Sequence, residues 1–553
     1  MRKVIILIFI LTNFIYSQIG YVNIEHPVYS FLDRMQLIHI IDNYNSFELP
    51  KTRKEITDYL KIIIKKRAIL SSVDSKTLDD FITEFNFDLS GSVNSYYSLF
   101  AHDTTTIFNQ KEKFLYFYSD SSTFNTFINF VGSGEALYSR DKLTNENAST
   151  TLFTFGGEIR GTIQNHIGYF ARATNGLHFG DKDLAAFKSN LKYNYKYSEG
   201  NHDSSQYFDE TSAYLMAEYE HVKFKIGNDR INIGYGIAKT IMDNYMPPMD
   251  YLTMQFNYSV FSYTFLHGKL FGTKNVVFNP SKGWQSVIAD KYFVYHRLGL
   301  NFSKHCRFGI GETIIYANRN IDFSYLNPFL FYKSAEHANQ DRDNSMLFFD
   351  FQNNSVKGLS FYAMLLIDDV DFSKLGTNWY GNKFLFDAGA SYELFPSSIP
   401  LTVAFQYLRI NPYVYSHRIN NNNYTSLNIG LGSNIEPNSE SFLFNIKYKP
   451  HYRVRLGITY RYTKHGANKT DANGNVLVNY GGDILVGHRE IDSDEVIFLN
   501  GIEETINHFT VTAEYEPIKN YLLILQTDIL KTNKENLTIL NKSIINLIFS
   551  IRI

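Results

Sequence analysis

The sequence predicts a large antiparallel β-barrel that spans a membrane, preceded by a few short helices. Three observations predict it. From about residue 91 to the end, apolar and polar residues alternate with the period of two that places side chains on opposite faces of a strand. The aromatic content is carried by 41 Tyr and 46 Phe against 2 Trp, as expected of strands whose rings gather at the two water boundaries of a bilayer. The N-terminus reads as an export leader, and nothing after it offers the roughly 18 to 20 apolar residues that a membrane helix needs. A soluble sheet protein rich in aromatics is the competing architecture.

In chain order, Met1 to Ser17 has the parts of a secretory signal: Arg2 and Lys3, an apolar run from Val4 to Leu11, and the small Ser17 before Gln18. Cleavage is expected near Ser17, giving an exported chain located in the outer membrane. No cysteine follows the leader, so no lipid anchor is expected at the mature N-terminus. The single Cys306 excludes an intramolecular disulfide and a cysteine metal cage, and it reads as a small strand residue. A net charge of −2 and a pI near 6.8 provide no basic domain for nucleic acid.

Residues 18–90 read as a helical bundle. Val28, Phe31, Leu32 and Met35 fall at helical spacing after Pro27. Thr52 and Glu55 have the spacing of a capping box ahead of Ile56, Tyr59, Leu60 and Ile63. A third helix, capped by Asp74 or Ser75, carries Leu78, Phe81, Ile82 and Phe85. Three short helices form too small a core to stand alone, so they are expected to dock on something larger, at the periplasmic end of the barrel.

Residues 91–553 read as the barrel. Its clearest stretch is Phe442 to Tyr462, where Phe442, Phe444, Ile446 and Tyr448, then Val454, Leu456, Ile458, Tyr460 and Tyr462, form one apolar face. A turn is expected at Lys449-Pro450-His451, with Arg453, Arg455 and Arg461 on the opposite face. Residues 213–226 form a second hairpin around His221, and Leu401 to Tyr407 and Val511 to Tyr515 add further apolar faces. Tight turns such as Gln164-Asn165-His166 contrast with long polar loops at Ser198 to Glu210, Arg418 to Thr425 and Thr463 to Asn479. Short turns on one rim and long loops on the other describe an outer-membrane barrel.

Arg453, Arg455 and Arg461 are candidates for charge-assisted hydrogen bonds to an acidic polysaccharide; pairing with lumen carboxylates such as Glu514 and Glu516 is the simpler alternative. Tyr193, Tyr195 and Tyr197 share one strand face and offer rings for stacking on sugars, although most tyrosines are expected in the boundary girdles. Glu312, Asp343 and Asp229 are candidates for the pair of carboxylates that glycoside cleavage needs, but turn, inner-wall and arginine-pairing roles explain them better. The 16 histidines are scattered without a metal-binding helix motif, and neither a Gly-x-Ser-x-Gly elbow nor a phosphate loop occurs. No cofactor and no catalysis are expected.

The order of short motifs resembles the Wzi-like capsule assembly family. It runs from VYSFLDRM and LPKTRKEITDYL (Leu49 to Leu60) through GGEIRGTIQNHIGYFARATNG (Gly156 to Gly176) to GNDRINIGYG (Gly227 to Gly236), which contains Arg230, and then Asp243-Asn244. Leu266-His267-Gly268, Gly311-Glu312 with Tyr316, Asn327-Pro328-Phe329, Asp343-Asn344, LLIDD (Leu365 to Asp369), NPYVYSH (Asn411 to His417) and Pro437-Asn438-Ser439 follow. Ile233-Gly234-Tyr235-Gly236 stands where the family usually has Trp-Gly-Pro-Gly, and Met242 where it has serine. The resemblance implies an outer-membrane barrel of about eighteen strands with a helical bundle. It also implies lectin-like, non-catalytic attachment or assembly of capsular or other exopolysaccharide, with Arg230 as a further candidate contact. A porin or uptake channel is the alternative.

Overall fold

The computed structural model describes residues 18–93, 96–98, 107–120, 123–187, 191 and 207–553. Within them eighteen antiparallel strands close into a barrel, the last pairing with the first. They are β1 Phe124–Asp141, β2 Asn147–Ile163, β3 Ile167–Gly180, β4 Tyr207–Glu218, β5 Val222–Asp229 and β6 Met249–Tyr258. Next come β7 Phe261–Asn279, β8 Gly283–Ser303, β9 Cys306–Ala317, β10 Asn344–Asn353, β11 Leu359–Asp369 and β12 Lys383–Glu393. The ring finishes with β13 Leu401–Ile410, β14 Ser439–His451, β15 Val454–Ala467, β16 Ile502–Ile518, β17 Tyr521–Lys534 and β18 Leu537–Arg552. A five-residue stub, Tyr116–Asp120, continues the β18 side of β1. Among the described residues no helix is long and apolar enough to cross a membrane.

Alternation sets which side of the wall each residue occupies. On β4 and β5, Tyr214, Met216, Glu218, Lys223 and Lys225 are buried inside, while Leu215, Phe224 and Ile226 are exposed outside. Phe405, Phe442, Phe444, Leu456 and Tyr460 likewise face outward, and Phe444 sits opposite Tyr460. This apolar outer surface places the chain in the outer membrane, where closing the sheet satisfies every edge hydrogen bond that lipid cannot.

The β14–β15 turn lies at Tyr452-Arg453, beyond the predicted Lys449-Pro450-His451. Pro450 stays in the strand because a register shift between Tyr448 and His451 absorbs its missing N–H. The long-loop expectations also shift. Tyr207 to Glu210 belongs to β4, and β15 continues to Ala467 before its loop. The tight-turn end carries only short connections, but the other end mixes long loops with short turns after β1, β7 and β17.

Among the described residues four α-helices precede the barrel: α1 Val28–Leu37, α2 Arg53–Lys65, α3 Ser72–Glu84 and α4 Asn86–Ser90. Thr52 and Glu55 form the expected capping box of α2. The cap of α3 is Ser71, not Asp74 or Ser75; its hydroxyl accepts from the Asp74 N–H, which makes Asp74 a first-turn residue. Leu32, Met35, Ile56, Leu60, Ile63 and Leu78 make a shared core, each fully buried side chain contributing about 1.5–3 kcal/mol.

The bundle closes the tight-turn end. Arg34 meets Glu393 at 3.4 Å, Lys223 meets Glu55 at 2.8 Å and Lys519 meets Glu84 at 2.9 Å. The Gly358 N–H donates to the Leu37 carbonyl. Arg53 forks onto Asp88 and lies over the Phe85 ring, so the Pro50-x-x-Arg53-x-Glu55 element joins two helices and, through Glu55, the wall.

Candidate functional site

The lumen has two unlike halves. Against β6 to β13 it is filled by a plug built from residues 230–248, the 411–438 loop and Phe47-Glu48 of the N-terminal segment. Glu48-Leu49 pairs with Asn232-Ile233, and the Gly234 N–H donates to the Phe47 carbonyl. The wall holds this plug by specific bonds. Glu48 accepts from the Tyr295 hydroxyl at 2.6 Å and the Thr264 hydroxyl at 2.8 Å. The Gln406 carbonyl oxygen takes the N–H groups of Ile237 and Ala238, and its amide donates to Asp387. Arg297 forks onto Asp350 at 2.7 and 2.8 Å, with its guanidinium 4.3 Å from the Phe47 ring centroid.

The glycines of the GNDRINIGYG stretch have a cause here. Gly234 and Gly236 adopt φ +131° and +79°, and a Cβ on Gly236 would strike the Tyr362 hydroxyl and the Gln406 amide. A cavity in this half, between Tyr21, Glu48, Lys225, Tyr251 and Tyr295, has about 30 Å³, room for roughly one water.

The other half, along β14 to β18, β1 and β2, keeps a polar inner wall that is largely half-buried. Asp528 accepts from the Thr510 hydroxyl and the Gln526 amide at 2.7 Å, with His508 at 3.0 Å. Asn445 bonds Thr459, and Ser133 bonds Thr154. Its floor, at the tight-turn end, is a charge cluster: Arg552 meets Glu158 at 2.6 Å and Glu112 at 3.7 Å, and Lys113 donates to the Lys519 carbonyl.

Arg455 and Arg461 lie on this wall, whereas Arg453 lies in the β14–β15 turn. Arg455 pairs with Glu514 at 2.6 Å. Arg453 donates to the Glu516 backbone carbonyl rather than its carboxylate and approaches Asp80 of α3 at 3.8 Å. Among the described residues Arg461 makes one long bond, 3.4 Å, to the Asn434 carbonyl, and its Nε has no hydrogen-bond partner there. Arg230 is apart from them, against Glu210 at 3.2 Å and Glu25 at 3.9 Å. Tyr193, Tyr195 and Tyr197 lie outside the described residues.

Many tyrosines depart from the expected girdle. Tyr44, Tyr295, Tyr316, Tyr325, Tyr332, Tyr413, Tyr415 and Tyr424 are among the largest fully buried side chains. Burial is tolerated where the hydroxyl finds a partner, as Tyr415 does on the Thr240 carbonyl and Tyr424 on the Ile241 carbonyl. The three carboxylates are each engaged. Asp229 binds Lys225, Asp343 binds Arg319, and Glu312 binds His296 and two backbone N–H groups rather than the expected arginine.

Sequence reasoning missed the His508–Asp528 group, although both residues stand at inward positions of alternating strands and that alternation was the available signal. Among the described residues, Glu336, His337 and Asp341 bring possible ligand atoms within 4.8 Å of one another, but Glu336 is already bound to Lys333 and Ser345.

No family model and no curated protein matches the chain. A solved structure does: Wzi, described as an outer membrane protein involved in group 1 capsule assembly in Escherichia coli and as a carbohydrate-binding β-barrel. The two superpose with a TM-score of 0.56 over 96% of this chain and 99% of that one, at 11% identity, so they share the fold. OprD from Pseudomonas aeruginosa and a BenF-like porin from Pseudomonas fluorescens align over 77% of this chain, at 8% and 10% identity and TM-scores of 0.44.

Proposed function

We propose that this protein holds or assembles a capsular or other surface polysaccharide at the outer membrane, in a lectin-like and non-catalytic way, as a Wzi-like barrel. The observation that carries the reading is the polar inner wall above a closed floor. Its amide, hydroxyl, imidazole and guanidinium groups, among them Asn445, Thr459, Arg461, His508, Thr510 and Gln526, match the hydroxyl and acidic groups of a glycan. Sharing a fold with a barrel described as carbohydrate-binding supports the same reading. Residues 18–90 act in it as the periplasmic cap and 91–553 as the barrel, after removal of 1–17.

The plug and the floor argue against an open uptake channel, for which a planar bilayer would record a large, steady conductance. The direct test is a deletion strain. Polysaccharide is expected to continue being made but to appear in the medium instead of on the cell, and complementation should restore it. Unchanged surface retention refutes the proposal.

A further inference from the structure

One long connection takes an unexpected course. Residues 318–343, between β9 and β10, carry two short helices, α5 Phe323–Leu326 and α6 Tyr332–Ala338. Tyr295, Arg297, Thr313 and Ile315 belong to the lumen side, where they meet Glu48, Asp350, Tyr424 and the plug. By alternation Val294, His296, Glu312, Ile314 and Tyr316 therefore point outward. Tyr325, Tyr332 and Ala335 pack on Val294, Ile314 and Tyr316, so the connection is a flap on the outer wall.

The flap descends far. The Pro328 carbonyl accepts from the hydroxyl of Tyr263, the third residue of β7 from the tight-turn end, and Phe329 stacks on that ring at 5.7 Å. Strands β9 and β10 have 12 and 10 residues, close to the length that crosses a bilayer, so the outer surface beside them is lipid.

The flap's own polarity follows that depth. From 321 to 334 the exposed residues are Ile321, Phe323, Asn327, Phe329, Phe331 and Ser334, with Phe323 86% and Phe329 79% exposed; Lys333, whose side chain is 35% exposed, is the charge nearest the surface there and is paired with Glu336. Past that stretch the exposed residues become mainly polar or charged, with His337, Gln340, Asp341 and Arg342 beside the top of β10. The charges underneath are paired. Arg319 forks onto Asp343 at 2.6 Å, Lys333 meets Glu336 at 2.8 Å, and His296 meets Glu312 at 2.8 Å. Glu312 also accepts from the N–H groups of Tyr332 and Lys333.

We propose that this flap is immersed in the membrane, with lipid acyl chains against Phe323, Phe329 and Phe331, and that it shields an outward polar seam of His267, His296 and Glu312 from hydrocarbon. An unshielded carboxylate at that depth would cost several kcal/mol, and the flap supplies its partners. One or more residues of four of the short motifs meet at this feature: His267 on Tyr316, Glu312 on the Tyr332 N–H, Pro328 and Phe329 on Tyr263, and Asp343 on Tyr325.

The test uses the full chain with Cys306→Ser, carrying Phe329→Cys, Phe323→Cys or His337→Cys, labelled with a small fluorophore and reconstituted in phosphatidylcholine vesicles. Lipid spin-labelled on the acyl chain is expected to quench positions 323 and 329 at least threefold more than 337, while aqueous iodide quenches in the reverse order. Iodide quenching at both aromatic positions overturns the proposal, as does protection from both quenchers together with cross-linking between copies. The two aromatic positions and the heat-modifiable mobility of the folded barrel separate misfolding from misplacement.

Discussion

Replacing Phe47 with alanine tests the reasoning about the plug most directly. The side chain is fully buried, packs edge-to-face on Tyr235 at 4.8 Å, stacks near Phe348 and lies under the Arg297 guanidinium. Removing such a ring costs about 3–5 kcal/mol. That cost falls on the plug rather than on the barrel, because Phe47 belongs to no wall strand and the Gly234 N–H bonds its carbonyl. At tenfold per about 1.4 kcal/mol, the open population of the plug should rise roughly 10²- to 10⁴-fold. Amide exchange at Ile233, Gly234 and Met242, measured in detergent or nanodiscs, reads this opening. The β15 to β18 ladder should exchange as in the parent, and brief conductance bursts should appear in planar bilayers. Acceleration of less than tenfold at those three amides would refute the account of Phe47 as the peg between the helical cap and the plug.

Two further outcomes follow from the charges. Arg297→Met strands the buried Asp350 carboxylate and should destabilise by about 3–5 kcal/mol, whereas Arg297→Met with Asp350→Leu should recover most of that, as read by thermal unfolding in detergent. At the cap, burial would raise the Glu55 carboxyl, but Lys223 and then Lys51 outweigh it and hold it at about 2. Because the folded value lies below the unfolded one, its contribution to docking is complete above pH 4.5 and is lost as pH falls from there through 2. Protease protection of α2 should therefore fall in that window, and Glu55→Gln should show a smaller fall; equal falls would remove Glu55 from the explanation.

The barrel was legible because alternation is a local property. Leu215 and Met216, or Phe444 and Leu443, declare opposite faces without knowledge of their neighbours. The Thr52–Glu55 capping box is equally local. The cap of α3 was misjudged because Ser71, Asp74 and Ser75 all favour cap positions, and only the backbone decides among them. The plug was not legible, since Gln406 meets Ile237 across 169 residues and Tyr295 meets Glu48 across 247, and neither spacing leaves a periodic trace. Tyrosine misled for a related reason. A ring with a polar tip suits both the membrane boundary and a buried site with a partner, and composition cannot separate the two. The flap was hidden similarly: a polar loop rich in Phe reads as a surface loop until the wall beneath it is seen to carry His296 and Glu312 outward.

The unequal halves of the lumen bear on how a polymer would be held. Under the proposed function, the apolar plug against β6 to β13 keeps one side of the barrel from flexing. The opposite wall can then present Asp528, His508, Gln526 and Arg461 in fixed relation, and a rigid site loses less entropy on binding. Each contact to a sugar hydroxyl is weak, about 0.5–1.5 kcal/mol net. Retention of a repeating polymer therefore depends on many contacts made together, with effective concentration multiplying them. Of the two wall arginines Arg461 is the less committed: among the described residues its hydrogen bond is one long contact to the Asn434 carbonyl, whereas Arg455 pairs with Glu514. An acidic glycan would thus engage Arg461 before Arg455, and a neutral one would draw mainly on the amide and hydroxyl groups of the same wall.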